Sequence, residues 1–236
     1  MYCFLFLNGV HCLYFRLALI GKGTFKLTKI VTFANTKGGS GKSTLCINIA
    51  AMLVKLKQSV CVVDADPQKS TLDWIKNTKD PLLSLVNCSE LSDFDKISEL
   101  SYDFVLIDTQ GNLNKELASF LKISSLVLVP CRISRDDIVG QGWVQIFLKK
   151  SQDIEQNIPI LAVLNGVNKR SHILSHIKQQ LREDGTNVAG TTVSQRVCFS
   201  ETNVNKMSVI SYNKVAENEI RELTSEVLGF LRDRGQ

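Results

Sequence analysis

From residue 29 onward, short apolar runs rich in β-branched residues alternate with longer stretches in which apolar residues recur every three or four positions. The short runs predict buried strands, and the longer stretches predict helices. The predicted strands are Ile30–Ala34, Ser59–Asp64, Phe104–Asp108, Ser125–Pro130 and Ile158–Leu164. The predicted helices are Ser43–Lys57, Lys69–Asn77, Lys115–Lys122, Asp136–Lys149, Ser171–Glu183 and Val215–Arg232. This alternation predicts a single α/β domain, with a mostly parallel central sheet flanked by helices on both faces.

The N-terminal residues 1–26 do not follow this pattern. Residues 1–20 are apolar, but no positive charge precedes them and no small-residue cleavage site follows, so they do not match a secretory signal. Asn8, His11 and Arg16 interrupt the run, and an arginine in the middle of a membrane is costly. Three interpretations stay open: an extension foreign to the native protein, a native appendage, or a membrane contact. We expect the folded domain to occupy residues 27–236.

Composition limits the class of protein. With 236 residues, 44% of them apolar, the chain is long enough for one domain with a hydrophobic core. Its seven cysteines are scattered and include no C-x-x-C pair. That distribution is typical of a reducing cytosol, and of neither a disulfide framework nor a zinc site. The net charge of +5 is compatible with a polyanionic partner without identifying one.

The segment NTKGGSGKST, Asn35 to Thr44, lies between the first predicted strand and the first predicted helix. Its glycines let backbone N–H groups approach phosphate oxygens, and the helix N-terminus adds partial positive charge. In such a loop Lys42 reaches the β- and γ-phosphates, and Ser43 gives its hydroxyl to Mg²⁺. The alternative is a glycine-rich turn with an exposed lysine. Unlike the usual loop, this one has Thr36 in place of the first glycine, and Lys37 follows it.

Two further predicted strands end in carboxylates. YDFVLID ends in Asp108, which is where a strand delivers an aspartate to a Mg²⁺-bound water. Alone this pattern is weak, because apolar strands often end in aspartate. In CVVDADPQ the strand ends in two carboxylates, Asp64 and Asp66. The alternative to a role at the site is an aspartate that caps the helix beginning near Ser70. Since ligands bind beyond the carboxyl ends of parallel strands, all three motifs are expected at one edge of the sheet.

KGGSGKS, VVDADPQ and FVLID, at these spacings, resemble the deviant Walker A ATPases of the ParA/MinD superfamily. The resemblance covers the chain from about Leu27 onward and implies a P-loop NTPase fold. DPQ points to the ParA branch. The short chain without a helix-turn-helix domain before the loop, and the segment SQRVCFSETN, are similar to the small ParA/ParF-like plasmid-partition ATPases. Two features depart from the family: Thr-Gln-Gly follows Asp108 where many relatives have a proline-rich switch, and residues 1–26 match nothing in it.

The resemblance implies ATP and Mg²⁺ as cofactors, and slow hydrolysis of ATP to ADP and phosphate. Lys37 matches the signature lysine, which in the family crosses an ATP-dependent homodimer to the other subunit's phosphates. Lys42 and Lys37 hold the transferred phosphate's charge, Asp66 positions the attacking water, and Asp64 lies behind these residues without touching the ligand. The implied metal site comprises Ser43, Asp66 and Asp108. Of these, Asp108 holds a Mg²⁺-bound water. The implied nucleotide-binding residues are Lys37, Gly38, Gly39, Ser40, Gly41, Lys42, Ser43 and Thr44.

The leading functional hypothesis is a DNA-partition ATPase, cytoplasmic and nucleoid-associated. It would dimerise with ATP, bind double-stranded DNA without sequence preference and be stimulated by a ParB/ParG-like centromere-binding protein. Between Leu161 and Lys214 there are seven bases and three acids, and an ordinary solvated face is the alternative to a DNA surface. We call these bases the basic run: Lys169, Arg170, Lys178, Arg182, Arg196, Lys206 and Lys214.

Three other functions compete with this one. A MinD-like membrane-associated regulator would bind membrane through a basic last helix, but residues 217–236 carry five acids and three arginines, which favours docking on the core. A metal-cluster carrier like the nitrogenase iron protein needs cysteines after the Walker B strand, and DTQGNLNKEL has none. A non-catalytic binding module is disfavoured because the loop lysine and serine and both site aspartates are intact.

Overall fold

The computed structural model describes residues 18–20, 24–26, 28–90, 96–97, 99–112, 114–133 and 158–233. The strands are β1 Ala18–Ile20, β2 Thr24–Lys26, β3 Lys29–Phe33, β4 Val60–Asp64, β5 Asn87–Ser89, β6 Phe104–Asp108, β7 Leu126–Cys131, β8 Ile160–Val167, β9 Asn187–Val188 and β10 Val193–Ser194. The α-helices are α1 Lys42–Lys55, α2 Ser70–Lys76, α3 Lys115–Lys122, α4 Ile173–Glu183, α5 Val197–Val204 and α6 Lys214–Asp233. A 3-10 helix spans Leu83–Leu85.

The central sheet has eight strands, in the order β10-β8-β7-β3-β6-β4-β5, and β9 also pairs with β8. Every pairing in this sheet is parallel. β1 and β2 form a separate antiparallel pair. Because β3 lies between β6 and β7, the loop that follows β3 emerges at the middle of the sheet's carboxyl edge, where ligands bind in such folds.

Alternating side chains on the strands fill two cores. Val31 and Phe33 on β3 pack on the face covered by α1, α2 and α6. Ile30 on the same strand packs on the opposite face, and α3 and α4 cover that side. Burying each of these large apolar side chains contributes about 1.5–3 kcal/mol. The α/β fold with helices on both faces is therefore confirmed.

The last helix docks on the core, as its composition indicated. On α6, the apolar residues Ile220, Leu223, Val227 and Leu231 are buried in the same cluster as α1. Lys29 Nζ also donates to Leu231 O at 2.8 Å, which ties the end of α6 to the start of β3. No helix in the described ranges is long and apolar enough to cross a membrane.

All five predicted strands and five predicted helices are present, with ends shifted by up to three residues. The predicted helix Asp136–Lys149 lies outside the described residues. β5, β9 and β10 were missed because two or three residues are too few to show a period. α5 was missed because apolar residues do not recur along one face of VCFSETNV. The domain start near residue 27 stays a prediction.

Candidate nucleotide-binding site

The glycine-rich loop joins β3 to α1 and leaves the start of α1 uncapped. Gly39 and Gly41 have φ angles of 74° and 97°, a left-handed conformation that glycine adopts without strain. The residue at the N-cap of α1 is Gly41, which has no side chain to accept hydrogen bonds from the backbone N–H groups of the first turn. At Gly41 an added Cβ would also lie 2.1 Å from Asn165 Nδ2, so the Asn165 side chain would have to move away from the loop. The loop is therefore shaped to present N–H groups to an anion.

Lys42, the first residue of α1, is a buried cation. It is 7% exposed, and its ammonium donates to Lys37 O at a long 3.4 Å. Burial lowers the pKa of Lys42, while the charges of Asp108 and Asp66 act in the opposite direction. A buried ammonium with one long contact among the described residues is poorly compensated, and a phosphate would supply the missing charge-assisted hydrogen bonds.

Asp108, at the end of β6, is a fully buried carboxylate that is only half satisfied. Thr71 Oγ1 donates to its Oδ2 at 2.6 Å, whereas Oδ1 has no hydrogen-bond partner among the described residues. Burial raises its pKa to about 6, against the opposing effect of the Thr71 and Ser43 hydroxyl groups. An unpartnered carboxylate oxygen beside a serine hydroxyl matches the oxygen ligands that Mg²⁺ prefers. The residues present therefore fit a magnesium ion held by Ser43 and Asp108.

The two carboxylates at the end of β4 have different surroundings. Asp64 is buried, and it accepts hydrogen bonds from Asp66 N at 3.0 Å and Leu72 N at 2.8 Å. Burial raises its pKa, although both hydrogen bonds oppose the rise. Asp66 is partly exposed, and its Oδ1 accepts from Gln68 N at 2.9 Å. Asp64 thus caps α2, as the alternative reading of this motif held, and leaves Asp66 at the site.

Strand register brings the predicted site residues together. Phe33, just before the loop, is paired with Asp108, and Asp108 is paired with Asp64. The charges of Asp66 and Asp108 both act on Lys42, so the two carboxylates lie near the loop. The segment Lys37–Thr44 and both aspartates therefore occupy one edge of the sheet. The individual roles of these residues, including that of Lys37 between subunits, stay predictions.

Two asparagines that the motifs did not single out hold the loop in place. Asn35 is buried, donates from Nδ2 to Pro130 O at 2.6 Å and accepts from Lys37 N at 3.0 Å. Asn165, on β8, donates from Nδ2 to Ser40 O at 2.8 Å. Asn35 lies within the motif, and its bond to the backbone N–H two residues on is one that asparagine commonly makes in turns. Asn165 is distant in sequence and has no local signal.

Gly111 and Thr71 also reach the site from elsewhere in the chain. A Cβ on Gly111 would lie 3.1 Å from Gly38 N, so the segment after β6 packs against the loop backbone through this glycine. Thr71 is fully buried in the first turn of α2 and reaches Asp108. The Thr-Gln-Gly segment that follows Asp108, in place of the proline-rich switch of many relatives, therefore contacts the loop.

The basic run is partly neutralised by carboxylates of α6. Glu219 is 4% exposed and accepts hydrogen bonds from Ser194 N and Ser194 Oγ. It also forms ion pairs with Lys169 at 2.9 Å and Arg196 at 3.0 Å. Burial opposes ionisation of Glu219, but Arg196, Ser194 and Lys169 together lower its pKa to about 2. Two of the seven bases are thus held by one buried acid.

Other bases of the run are also engaged. Lys214 pairs with Glu217 at 2.9 Å, and Lys206 pairs with Asp73 at 2.7 Å. Lys178 Nζ donates to a backbone carbonyl, that of Gly190. Arg170 and Arg182 are exposed, and neither guanidinium has a partner within the described part of the chain. The local positive charge is therefore smaller than a count along the sequence suggests.

Known proteins share the sequence pattern and the fold of this chain. The family model of the CobQ/CobB/MinD/ParA nucleotide binding domain matches residues 31–209. The chain is 27% identical to the Maintenance of carboxysome distribution protein A of Halothiobacillus neapolitanus over 83% of this chain and 94% of that protein. It is 26% identical to Protein ParA of Rhizobium radiobacter, over 72% and 80%. A putative plasmid partition protein of Borrelia burgdorferi bound to AMPPNP has the same fold, with a TM-score of 0.67, 20% identity and coverage of 86% and 99%.

Proposed function

Because the chain belongs to the CobQ/CobB/MinD/ParA nucleotide-binding domain family, we propose that it is a partition ATPase whose dimer state and DNA binding are switched by ATP. The observation that carries the proposal is a pair of buried groups at the carboxyl edge of the sheet whose hydrogen bonding within the described residues is incomplete. The Lys42 ammonium can donate further hydrogen bonds and Asp108 Oδ1 can bind a cation. A Mg²⁺-bound triphosphate supplies phosphate oxygens for the first and a metal ion for the second.

The chain's own residues can perform hydrolysis largely by positioning. The loop N–H groups and Lys42 bind the phosphate oxygens and hold the charge that develops on them. Ser43 and Asp108 would hold Mg²⁺, which supplies further charge neutralisation when bound. Asp66 accepts a hydrogen bond from the attacking water and orients it toward the terminal phosphate. Since positioning and charge stabilisation are most of what phosphoryl transfer requires, no covalent intermediate is needed.

Dimerisation is the second part of the proposal. Lys37 of each subunit would reach the phosphates bound by the other, so that only two filled loops stabilise the dimer. Its backbone is already fixed, because its N–H donates to Asn35 and its carbonyl accepts from Lys42. ATP would then act as a timer, and hydrolysis would release the two subunits.

DNA binding is the third part. Arg170 and Arg182 are the bases best placed to contact phosphates, because neither has to leave an acid within the described residues. One subunit's modest charge holds DNA weakly, but two subunits on one polymer make the second contact intramolecular. A ParB/ParG-like centromere-binding protein would stimulate hydrolysis, and the protein would lie on the nucleoid in the cytoplasm.

The experiment is fluorescence anisotropy on two unrelated duplexes, with ADP and with ATP, across a salt series. We expect binding with ATP only, equal on both duplexes, with a slope equivalent to roughly four to eight released counterions per dimer. Equal binding in both nucleotide states, or a strong preference for one duplex, would reject the proposal. Such a result would favour the MinD-like membrane regulator, although α6 is docked on the core.

A second candidate differs in cargo and keeps the mechanism. It is favoured by the relative named for carboxysome distribution, which is matched over 94% of its length. The chain would then position a protein body over the nucleoid. Gene neighbourhood separates the two: a small basic ribbon-helix-helix or ParB-like gene directly downstream favours DNA cargo, and genes for a protein compartment favour the other.

A further inference from the structure

The Thr71 hydroxyl donates a short buried hydrogen bond to Asp108, 2.6 Å from Oγ1 to Oδ2. Both residues are fully buried. Among the described residues, no side chain or backbone group donates a hydrogen bond to the other oxygen, Asp108 Oδ1. One carboxylate oxygen of Asp108 is therefore hydrogen-bonded to the protein, and the other is available to a ligand.

The element that carries Thr71 is rigidly attached at its start. Asp64 Oδ2 accepts from Leu72 N at 2.8 Å, and Lys69 Nζ donates to Asp64 O at 2.8 Å. Lys69 has a φ angle of 50°, a left-handed conformation that residues other than glycine rarely adopt. These contacts fix the first turn of α2 to the end of β4, so the Thr71 hydroxyl is delivered to a defined position.

A hydroxyl in that position restricts what the carboxylate can do. With Oδ2 bound, rotation of the Asp108 carboxylate would break a short buried hydrogen bond, which is costly in the protein interior. Oδ1 is thereby the oxygen available to a ligand at the site. Loss of a residue that orients a metal ligand in this way typically lowers metal affinity about 10- to 100-fold.

We propose that Thr71 is the positioning residue that orients Asp108 toward Mg²⁺, and that it does so from the helix directly after the Asp66 turn. This inference rests on the proposed function, because it assumes a magnesium nucleotide at the site. It adds a residue that no motif of the sequence contains, and it links the two carboxylate strands through one hydroxyl.

The test is the Mg²⁺ dependence of binding a fluorescent ATP analogue to the full chain, measured without hydrolysis. Thr71→Val removes the donor at nearly constant volume, and Thr71→Ser keeps it. We expect the Mg²⁺ concentration at half-saturation to rise about tenfold for Thr71→Val, the lower end for loss of an orienting residue, and to stay near wild type for Thr71→Ser. Binding in EDTA should be the same for all three proteins.

A matched control separates positioning from general stability. Thr224 on α6 is also fully buried, and its hydroxyl donates to Ile220 O at 2.7 Å, outside the site. Thr224→Val should lower the melting temperature without moving the Mg²⁺ half-saturation. If Thr71→Val does not fold, Thr71→Ala, which leaves room for a water, is titrated instead and should also require more Mg²⁺.

Two negative results have different meanings. An unchanged Mg²⁺ half-saturation in folded Thr71→Val or Thr71→Ala protein, with normal Mg²⁺-enhanced binding by wild type, overturns the role of Thr71 and leaves the proposed function standing. Wild-type protein that binds no nucleotide, with or without Mg²⁺, overturns the proposed function itself.

Discussion

The nucleotide-binding site and the basic run both consist of groups that attract anions, but their polar groups are satisfied differently. At the nucleotide site, Lys42 and Asp108 are buried and each retains an unmet hydrogen-bonding need. In the basic run, Lys169 and Arg196 are held by the buried carboxylate of Glu219. The first region is prepared for a ligand, whereas much of the second is occupied by the protein's own acids.

The difference shows that net charge along a sequence indicates an anion-binding site less well than buried polar groups that lack hydrogen-bond partners in the fold. An unpartnered buried group costs free energy until a ligand arrives, so it indicates what that ligand must supply. A lysine already paired with an acid gains less from a phosphate, because that ion pair must first be broken. The predictions below test whether the two regions differ in this way.

The largest expected effect is at the nucleotide site. Asp66→Ala should lower ATP hydrolysis by roughly 10²-fold or more, because the attacking water loses the group that orients it. The ATP-bound dimer should persist, since Lys42, the loop and Asp108 are untouched. Phosphate release and sedimentation measure the two properties on the same sample. If the Asp66→Ala protein released phosphate at the wild-type rate, the water-orienting role would be assigned to Asp64.

The next effect is one of stability, in the basic run. Glu219→Gln should lower the free energy of unfolding at pH 7 by about 2 kcal/mol, because charge-assisted hydrogen bonds from Lys169 and Arg196 are weakened. The folded pKa of Glu219, about 2, lies below the ordinary 4.5. Its ionised form therefore stabilises the fold above pH 4.5, and this contribution is lost as the pH falls toward 2. Urea unfolding at several pH values measures the difference.

The control for this prediction is a carboxylate of the same helix. Glu222 is exposed and has no ion-pair partner among the described residues, so Glu222→Gln should change stability by no more than about 0.5 kcal/mol. A Glu219→Gln protein as stable as the Glu222→Gln protein at pH 7 would mean that Glu219 does not hold the basic run.

The smallest effect separates free bases from paired ones. Arg182→Glu should weaken binding of any duplex roughly three- to tenfold and reduce the salt slope by about two per dimer, without loss of stability. Arg196→Glu should also destabilise the fold, because a second carboxylate would face Glu219. Lys79→Glu, an exposed charge reversal outside the run, is the control for DNA binding. Undiminished DNA binding by Arg182→Glu would remove this arginine from the DNA surface.

How far the sequence predicted each region depends on how local its contacts are. The loop and the two strand-end carboxylates lie in contiguous motifs, so their shared edge followed from the parallel sheet. Asn165 and Thr71 were missed because they reach the site only through the packing of β8 and α2. Glu219 was counted with the last helix and not with the basic run, because only the fold places it beside Ser194.

The central claim is that the loop senses a second subunit through Lys37. Its most direct test is sedimentation velocity with a slowly hydrolysed ATP analogue, on wild type, Lys37→Ala and Lys42→Ala. We predict a dimer for wild type. Lys37→Ala should bind the analogue but stay monomeric, and Lys42→Ala should lose tight nucleotide binding itself. A normal dimer from the Lys37→Ala protein would contradict the account.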